Sequence, residues 1–233
     1  MRKPGQTLAP QQARSRESLT KLLKAAIEVL GQRGVAGATI PRIAAHAGLT
    51  PGAVYRRFRN KDVLLEIAIL RVLEDQHSFL RHSLTVEAAA QIPFATLVEQ
   101  VINSFVVSYR GNARLLRAVR QFLRDKEGTP FWHKAAKLQV RTFEHLVAVC
   151  VQSGREIKHS DPRAAAALAL MMVSGTLWEV VVDPGDAKLW KGLLPQDDRI
   201  LKSELTRSFL SYLGVERKAA NPKRADRSVS RDL

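Results

Sequence analysis

The chain has little cysteine and lacks the short motifs on which most metal and redox sites depend. Cys150 is the single cysteine among 233 residues, so an intrachain disulfide is excluded and a reducing cytoplasm is expected. No Cys-x-x-Cys or His-Glu-x-x-His motif occurs, and the six histidines show no metal-ligand spacing. A phosphate-binding loop, a dinucleotide fingerprint and a Gly-x-Ser-x-Gly motif are also missing. We therefore expect no metal, no cofactor and no enzymatic activity.

Long uninterrupted hydrophobic runs are scarce as well. The N-terminus carries Arg2 and Lys3 without the apolar stretch that follows them in a secretory signal. The longest apolar stretch, 164–182, is rich in alanine and is interrupted by serine, glycine, threonine and glutamate. This pattern predicts a buried helix rather than a membrane span. A cytoplasmic protein without a membrane partner is therefore expected.

Acidic residues are outnumbered, and the imbalance is local. The chain has 37 Lys and Arg against 22 Asp and Glu, a formal net charge of +15. Residues 1–66 hold twelve basic and four acidic side chains, residues 67–215 are nearly balanced, and residues 216–233 hold six and three. A basic excess concentrated at one end favours a polyanion such as nucleic acid as the partner.

No stretch shows the two-residue alternation of a strand, whereas apolar residues recur at helical spacing. The first helix is predicted from the run Leu19 to Leu30, ending at Gly31 and Gly34. Proline and glycine breaks delimit further helices, which are predicted at 61–83, 93–110, 112–126, 130–157, 162–182 and 197–213. Together with two short helices after residue 39, these predict an all-α protein of about nine helices.

Residues 39–58 carry the order of a helix-turn-helix. Thr39 is expected to cap a short apolar helix, and Gly48 makes the turn that follows it. Thr50 is expected to cap the second helix, with Pro51 at its first position and Val54 facing the core. This arrangement places a small second helix in the DNA major groove.

The outer side of this motif is predicted to be small, polar and basic. Small residues near the start of the second helix let it approach the groove, and arginine or lysine can pair with guanine edges or phosphates. Few side chains reach the bases, so specific affinity requires two copies on a palindrome and hence a homodimer. The residues expected to contact double-stranded DNA are Thr39, Arg42, Thr50, Pro51, Gly52, Ala53, Val54, Tyr55, Arg56, Arg57 and Lys61.

Residues 16–66 resemble the N-terminal domain of the TetR family of bacterial transcriptional regulators. The residues that carry the resemblance are Ala25-Ala26, Gly34, Thr39, Ile43-Ala44, Ala47-Gly48-Leu49-Thr50, Gly52, Val54-Tyr55, Phe58, Lys61 and Leu64. The resemblance implies that Thr50 to Arg57 form the recognition helix and that Tyr55 and Lys61 hold the DNA backbone. Pro41, Arg42 and Arg59 depart from the family pattern, which affects the choice of operator rather than the fold.

The resemblance also implies a homodimeric repressor that a small-molecule effector releases from its operator. We expect a flexible basic arm at 1–15, a DNA-binding domain at 16–62, a helical effector-binding and dimerisation domain at 63–215, and a disordered basic tail at 216–233. The effector pocket should be largely apolar with a few polar groups. Its candidate residues are Phe105, Tyr109, Arg117, Trp132, His133, Met172 and Trp178, with Arg117 or Arg120 for an anionic ligand.

Dimerisation is expected to use the helices at 162–182 and 197–213, packed against their copies as a four-helix bundle. The small residues expected to allow close approach are Ala165, Ala169 and Gly175, and the residues expected to supply contact area are Leu205, Phe209 and Leu213. These side chains suit an intrachain core equally well, and the family resemblance favours the interface.

Two other functions are compatible with part of the pattern. The basic tails also suit an architectural protein that binds DNA without an effector, which would show weak sequence preference and a steep salt dependence. An enzyme would need a catalytic group assembled only in three dimensions, and no motif in the sequence supports one.

Overall fold

The computed structural model describes residues 8–183, 195 and 197–215, with side chains from residue 15 onward. Within these residues the chain forms nine α-helices and no strand, which confirms the predicted all-α class. A π-helical turn, Trp178–Val182, directly continues the eighth helix. The helices are α1 (Leu8–Gly37), α2 (Ile40–His46), α3 (Pro51–Tyr55), α4 (Lys61–Ser83), α5 (Val86–Ala89), α6 (Phe94–Asp125), α7 (Pro130–Ser153), α8 (Pro162–Leu177) and α9 (Asp198–Tyr212). The predicted tail at 216–233 and the first seven residues of the predicted arm lie outside the described residues.

Part of the segment predicted to be a flexible arm is helical in the structure. Residues 8–15 are helical and form the first two turns of α1, because Pro10 falls in the opening turn, where its missing N–H removes no hydrogen bond. Gly34 adopts φ +68 and interrupts the helix near its predicted end. Gly31, however, lies within the helix, where an added Cβ would be 3.3 Å from the Leu115 Cβ. Glycine at this position lets α1 and α6 approach closely.

The sixth helix is longer than predicted from the sequence. The expected break at Gly111–Asn112 does not occur, and α6 runs unbroken over 32 residues. An internal glycine costs about 1 kcal/mol relative to alanine, and α6 packs against α1, α8 and α9 on both sides of this position. The Asn112 side chain donates to the Ser108 carbonyl at 2.9 Å, so it bonds within the helix instead of ending it.

The buried side chains form two clusters. The N-terminal core contains the apolar residues of α1 to α4 together with Ala118, Phe122, Phe131 and Ala135 of α6 and α7. The C-terminal core contains the buried residues of α5, α8 and α9, the first half of α6 and the second half of α7. The domain boundary predicted at 62/63 therefore falls inside the N-terminal core, to which the buried face of α4 belongs.

Helix α6 belongs to both cores. Leu97 and Ile102 in its first half are buried in the C-terminal core, whereas Phe122 near its end is buried in the N-terminal core. The Phe122 ring contacts the Phe131 ring edge to face, with centroids 5.6 Å apart. A displacement of α6 therefore reaches the helices that carry the helix-turn-helix.

The stretch Pro162–Val182 is long and apolar enough to span a membrane by length and composition alone, with a mean hydropathy of 1.8. In the fold, one side of α8 packs into the C-terminal core through alanines and leucines. The opposite side exposes Leu168, Met171 and Met172. This helix is therefore half core and half apolar surface.

The residues predicted for the dimer interface need correction. Ala165 and Ala169 of α8, Leu205 and Phe209 of α9, and Leu213 directly after α9 are buried in the chain's own core. The error has a physical reason, because an apolar stripe at helical spacing has the same pattern whether it meets its own chain or a copy. Gly175 lies on the exposed side of α8.

Candidate nucleic-acid interface

The turn between α2 and α3 is held by a Schellman motif. The Leu49 N–H donates to the Ala44 carbonyl at 2.8 Å, and the Gly48 N–H donates to the Ala45 carbonyl at 3.1 Å. Gly48 has φ +67, a left-handed conformation that side chains other than glycine adopt with strain. The two hydrogen bonds fix the direction in which the chain leaves α2, and so the angle between the two helices.

The start of α3 is capped as the sequence predicts. The Thr50 hydroxyl accepts the Ala53 N–H at 3.2 Å, and Pro51 occupies the first position of the helix. Val54 is fully buried and fixes the inner side of α3 against the N-terminal core. Gly52 faces outward, and among the described residues beyond its neighbours and the backbone of α3 no atom lies within 4 Å of a Cβ added there. The outer side of α3 is therefore small and open at its N-terminal turn.

Four arginines lie in α2 and directly after α3. Arg42, Arg56, Arg57 and Arg59 are exposed, and none forms an ion pair among the described residues. Arg57 makes long contacts of 3.4 to 3.5 Å with Ser15 and Ser18 of α1, and Arg42 donates to the Gly37 carbonyl. Their positive charge is directed to solvent instead of being neutralised within the fold.

Thr39 and Lys61, which are predicted to contact DNA, also make contacts within the chain. Thr39 stands at the N-cap position of α2, yet its side chain makes no capping hydrogen bond. Its main-chain carbonyl accepts the Ile43 N–H in the first turn of the helix. The Lys61 ammonium donates to the Val35 carbonyl at 3.1 Å. One of its three N–H groups therefore ties α4 to the end of α1. Tyr55 is the most exposed aromatic residue of the motif, at 57%.

Two polar links were not predicted from the sequence. The His46 Nε2 lies 2.7 Å from Glu28 Oε2 and joins the end of α2 to α1. The Lys126 ammonium donates to the Asp62 carboxylate at 2.7 Å, which connects the residue after α6 to the first turn of α4. The hydrogen bond from Lys126 to Asp62 raises the pKa of this lysine. The residues in each link are at least 18 positions apart, so no local pattern indicates them.

A second group of predicted residues meets along the seam between α6 and α8. We define this seam by Phe105, Tyr109, Arg117 and Trp178. The Tyr109 hydroxyl lies 2.7 Å from the Ser174 hydroxyl, and the rings of Phe105 and Tyr109 are stacked with centroids 6.4 Å apart. About two turns further along α6, Arg117 donates to the Val182 carbonyl at the end of the π-helical turn. Four of the seven predicted effector residues therefore lie along one pair of helices.

The other three do not join them. Trp132 and His133 pack edge to face on each other at the start of α7, where the buried neighbours belong to the N-terminal core. Met172 is 43% exposed on the outer side of α8. No group of three or more His, Cys, Asp or Glu side chains within the described residues is placed to hold a metal ion.

The N-terminal region is similar in sequence to known bacterial regulators. Residues 22–68 match the family described as bacterial regulatory proteins, tetR family. Over 55 residues the chain is 40% identical to the HTH-type transcriptional regulator BetI 2 of Chromohalobacter salexigens, a match that covers 24% of this chain and 27% of that protein. The chain thus spans about a quarter of the length of this curated relative. Both comparisons name regulators, in agreement with the prediction that the chain is not an enzyme.

Solved structures share the fold over most of the chain. A protein of Mesorhizobium loti described as a TetR-family transcriptional regulator superposes with a TM-score of 0.67 at 16% identity, covering 86% of this chain and 97% of its own. The regulator FadR of Bacillus subtilis, solved with stearoyl-CoA, gives a TM-score of 0.59 at 21% identity, covering 83% and 98%. NalD of Pseudomonas aeruginosa, the secondary repressor of the MexAB-OprM multidrug efflux pump, gives 0.56 at 21%, covering 86% and 98%. The helix-turn-helix lies within residues 22–68, so this part of the chain is similar to the tetR family of bacterial regulatory proteins, and the fold is shared with the solved structures over most of the chain.

Proposed function

We propose that this protein is a cytoplasmic, homodimeric transcriptional repressor that binds a palindromic DNA operator and leaves it when a small-molecule effector binds. The observation that carries the proposal is the open, unpaired basic surface around the start of α3. A capped helix, small outward residues and four arginines that have no carboxylate partner among the described residues suit the phosphates and base edges of a major groove.

The small residues of α3 support close contact with DNA. Within the described part of the chain, no contact requires glycine at position 52, because an added Cβ would meet no other residue within 4 Å. Close approach of α3 to the wall of a DNA groove would explain why this residue is small. Tyr55, one turn further on and exposed, is placed to donate its hydroxyl to a phosphate.

The apolar side of α8 supports the homodimer. Leu168 is 50% exposed, Met171 59% and Met172 43%. A cluster of this kind on one helix marks an interaction site, and a second copy of the same helix offers a matching surface across a two-fold axis. Gly175, on the same side, leaves space for the approach of the partner helix. A dimer of this kind would present two copies of α3 to successive turns of the major groove.

The seam between α6 and α8 supports effector binding. It combines aromatic rings, a hydroxyl pair and an arginine, the mixture expected of a small-molecule site. Its position also fits regulation, since α6 reaches the N-terminal core at Phe122 and α8 carries the apolar face. An effector there would favour one of two arrangements of these helices and change the separation of the two α3 helices.

The experiment that tests the function is selection of bound sequences from a random double-stranded DNA pool near physiological salt, using the full chain. We expect enrichment of a palindrome whose half-sites are one or more helical turns apart. Arg56→Gln should reduce the enrichment, and Arg163→Gln, which removes one exposed positive charge from α8, should preserve it.

The same selection separates the proposal from its alternative. Retention that falls steeply with salt, without any enriched motif, would show an architectural DNA-binding protein. The net charge of +15 is the observation that keeps this alternative in the test. Failure to retain DNA at all salt concentrations would contradict both functions.

A further inference from the structure

Helix α6 carries five arginines along one side of its second half. They are spaced by three or four residues, which places them on a common helical face: Arg110, Arg114, Arg117, Arg120 and Arg124. Arg110 forms an ion pair with Asp198 of α9, with Nη2 2.8 Å from Oδ1. In the part of the chain that the structure describes, the other four make no ion pair.

Arg117 holds an oxygen that is a weak partner for a guanidinium. Its Nε and Nη2 both donate to the main-chain carbonyl of Val182, with the Nε at 3.0 Å. The two N–H groups of such a fork match the oxygens of a carboxylate or a phosphate, which form stronger, charge-assisted hydrogen bonds than a neutral carbonyl does. An organic anion would therefore compete for this guanidinium with the carbonyl it now holds.

Arg120 approaches the same short segment from one turn further along α6. Its guanidinium carbon lies 4.2 Å from the centroid of the Trp178 ring. Trp178 begins the π-helical turn, and its carbonyl accepts the Asp183 N–H, five residues on, at 3.0 Å. The segment has two carboxylates, Glu179 and Asp183, which are exposed and make no ion pair with either arginine. Two arginines, an aromatic ring and a π-helical turn, a feature frequent at functional sites, therefore lie together.

We propose that Arg117, Arg120 and Trp178 bind the charged group of an organic anion, a carboxylate or a phosphate ester, whose apolar part lies along the seam toward Tyr109 and Phe105. The anion takes the place of the Val182 carbonyl on Arg117. This frees the end of α8, the helix with the exposed apolar face. As the chemical class of an effector, this inference rests on the proposed function, although binding of the anion does not.

The test uses three probes with the same alkyl chain: sodium octanoate, octyl phosphate and the neutral 1-octanol. Each is titrated into the full chain at constant ionic strength, and tryptophan fluorescence reports binding. We expect saturable binding of an anion and much weaker binding of octanol. Tighter binding of octanoate would assign a carboxylate ligand, and tighter binding of octyl phosphate would assign a phosphate ester.

Matched variants locate the charge. Arg117→Gln and Arg120→Gln should each weaken binding of the preferred anion about tenfold or more. Arg124→Gln removes the same charge from the same face of α6, and it should change the affinity less than about twofold. Arg117→Lys keeps the charge and loses the fork, so it should also weaken binding, and it replaces Arg117→Gln if that variant does not fold.

Three results would overturn the inference. Equal binding of octanol and the anions would show an apolar cavity alone. Unchanged affinity in both Arg117 variants would place the charged group elsewhere. An equal loss with Arg124→Gln would show diffuse attraction to the whole arginine face.

Binding to the DNA selected above separates this inference from the proposed function. Protein that binds the DNA but none of the anions would contradict the ligand class and leave the regulator intact. Anion binding by protein that retains no DNA would support the arginine site and contradict the regulator.

Discussion

The N-terminal and C-terminal cores are covered by different kinds of helix, and these helices carry different surfaces. Around the N-terminal core, short helices depend on caps and a glycine turn, and their outer side carries arginines that form no ion pair within the part of the chain that the structure describes. Around the C-terminal core, long helices bury extended apolar stripes, and α8 exposes a further apolar face. The first surface suits a polyanion, and the second suits a copy of itself. The proposed DNA-binding surface and the proposed dimer face thus lie on different cores.

Helix α6 joins the two cores, and Phe122 lies at the end that packs in the N-terminal core. Phe122 is 1% exposed and packs with Phe131 against residues of α1 and α4, although the first half of the same helix is part of the other core. The Lys126–Asp62 link adds a polar connection at the same end. We therefore predict two surfaces on one cooperative structure.

The largest effect is expected from Phe122→Ala. Loss of a buried phenylalanine removes apolar contacts and leaves a cavity, so the free energy of unfolding should fall by about 3–5 kcal/mol. Urea unfolding followed by circular dichroism measures this change, and a single transition would show that the cores unfold together. Phe79→Ala, at a side chain that is 73% exposed, is the control and should change stability by less than about 0.5 kcal/mol. Similar effects of the two variants would contradict the shared core.

The next effect concerns the apolar surface alone. Met171→Asp places a charge at the centre of the proposed dimer face, and dissociation of the dimer should become easier by about tenfold or more. Sedimentation over a range of protein concentrations measures the change. Val107→Asp introduces the same charge at a residue of α6 with almost the same exposure, 58%, and should leave the dimer intact. Dissociation by Val107→Asp alone would place the interface elsewhere.

A smaller effect is expected at the contact between α4 and α7. The His77 Nδ1 lies 3.2 Å from the Thr142 hydroxyl, and burial lowers the pKa of His77, with Arg81, His145 and Arg141 adding to the shift. The folded state then binds a proton less readily than the unfolded chain, whose histidine pKa is about 6.5. Stability should therefore fall as the pH drops below this value.

Thermal unfolding between mildly acidic and neutral pH checks this prediction. His77→Gln should reduce the acid-side loss by about 1–2 °C in melting temperature, and His82→Gln, at an exposed position of the same helix, is the matched control. A wild-type melting temperature that rises as the pH falls would contradict the sign.

The smallest effect concerns Cys150, which is buried in the C-terminal core. Burial raises the pKa of its thiol to about 12, so the reactive thiolate is scarce at mildly alkaline pH. Ellman's reagent should leave the native protein unmodified and should react once the chain is unfolded in guanidinium chloride. Rapid modification of the native protein would show that this part of the C-terminal core opens more readily than its packing indicates.

The helix-turn-helix was predictable because its determinants are local. The hydroxyl of Thr50 and the amide of Asn60 cap the helices that begin one residue later, and Gly48 supplies the left-handed turn. Each of these interactions spans five residues or fewer. The predicted bounds of α4, 61–83, agree with the structure for the same reason.

The remaining errors involve interactions that are distant in the chain. The break predicted at Gly111–Asn112 fails because packing over the whole of α6 outweighs one glycine. Trp132 and His133 are aromatic and polar like the residues of the seam, yet they lie on the other core. The apolar stripe of α9 proved to be core, since helical periodicity identifies a buried face and leaves the covering element undetermined.

The most direct test of the account is the affinity of Arg56→Gln for the selected operator as a function of salt concentration. Loss of an arginine at the α3 surface should cost about 1–3 kcal/mol of binding free energy, and loss of a phosphate contact would reduce the salt slope by about one per subunit. Arg163→Gln, the matched control, should retain the affinity and slope of the wild type. Wild-type affinity and salt slope in Arg56→Gln would contradict the claim that the surface around α3 binds DNA.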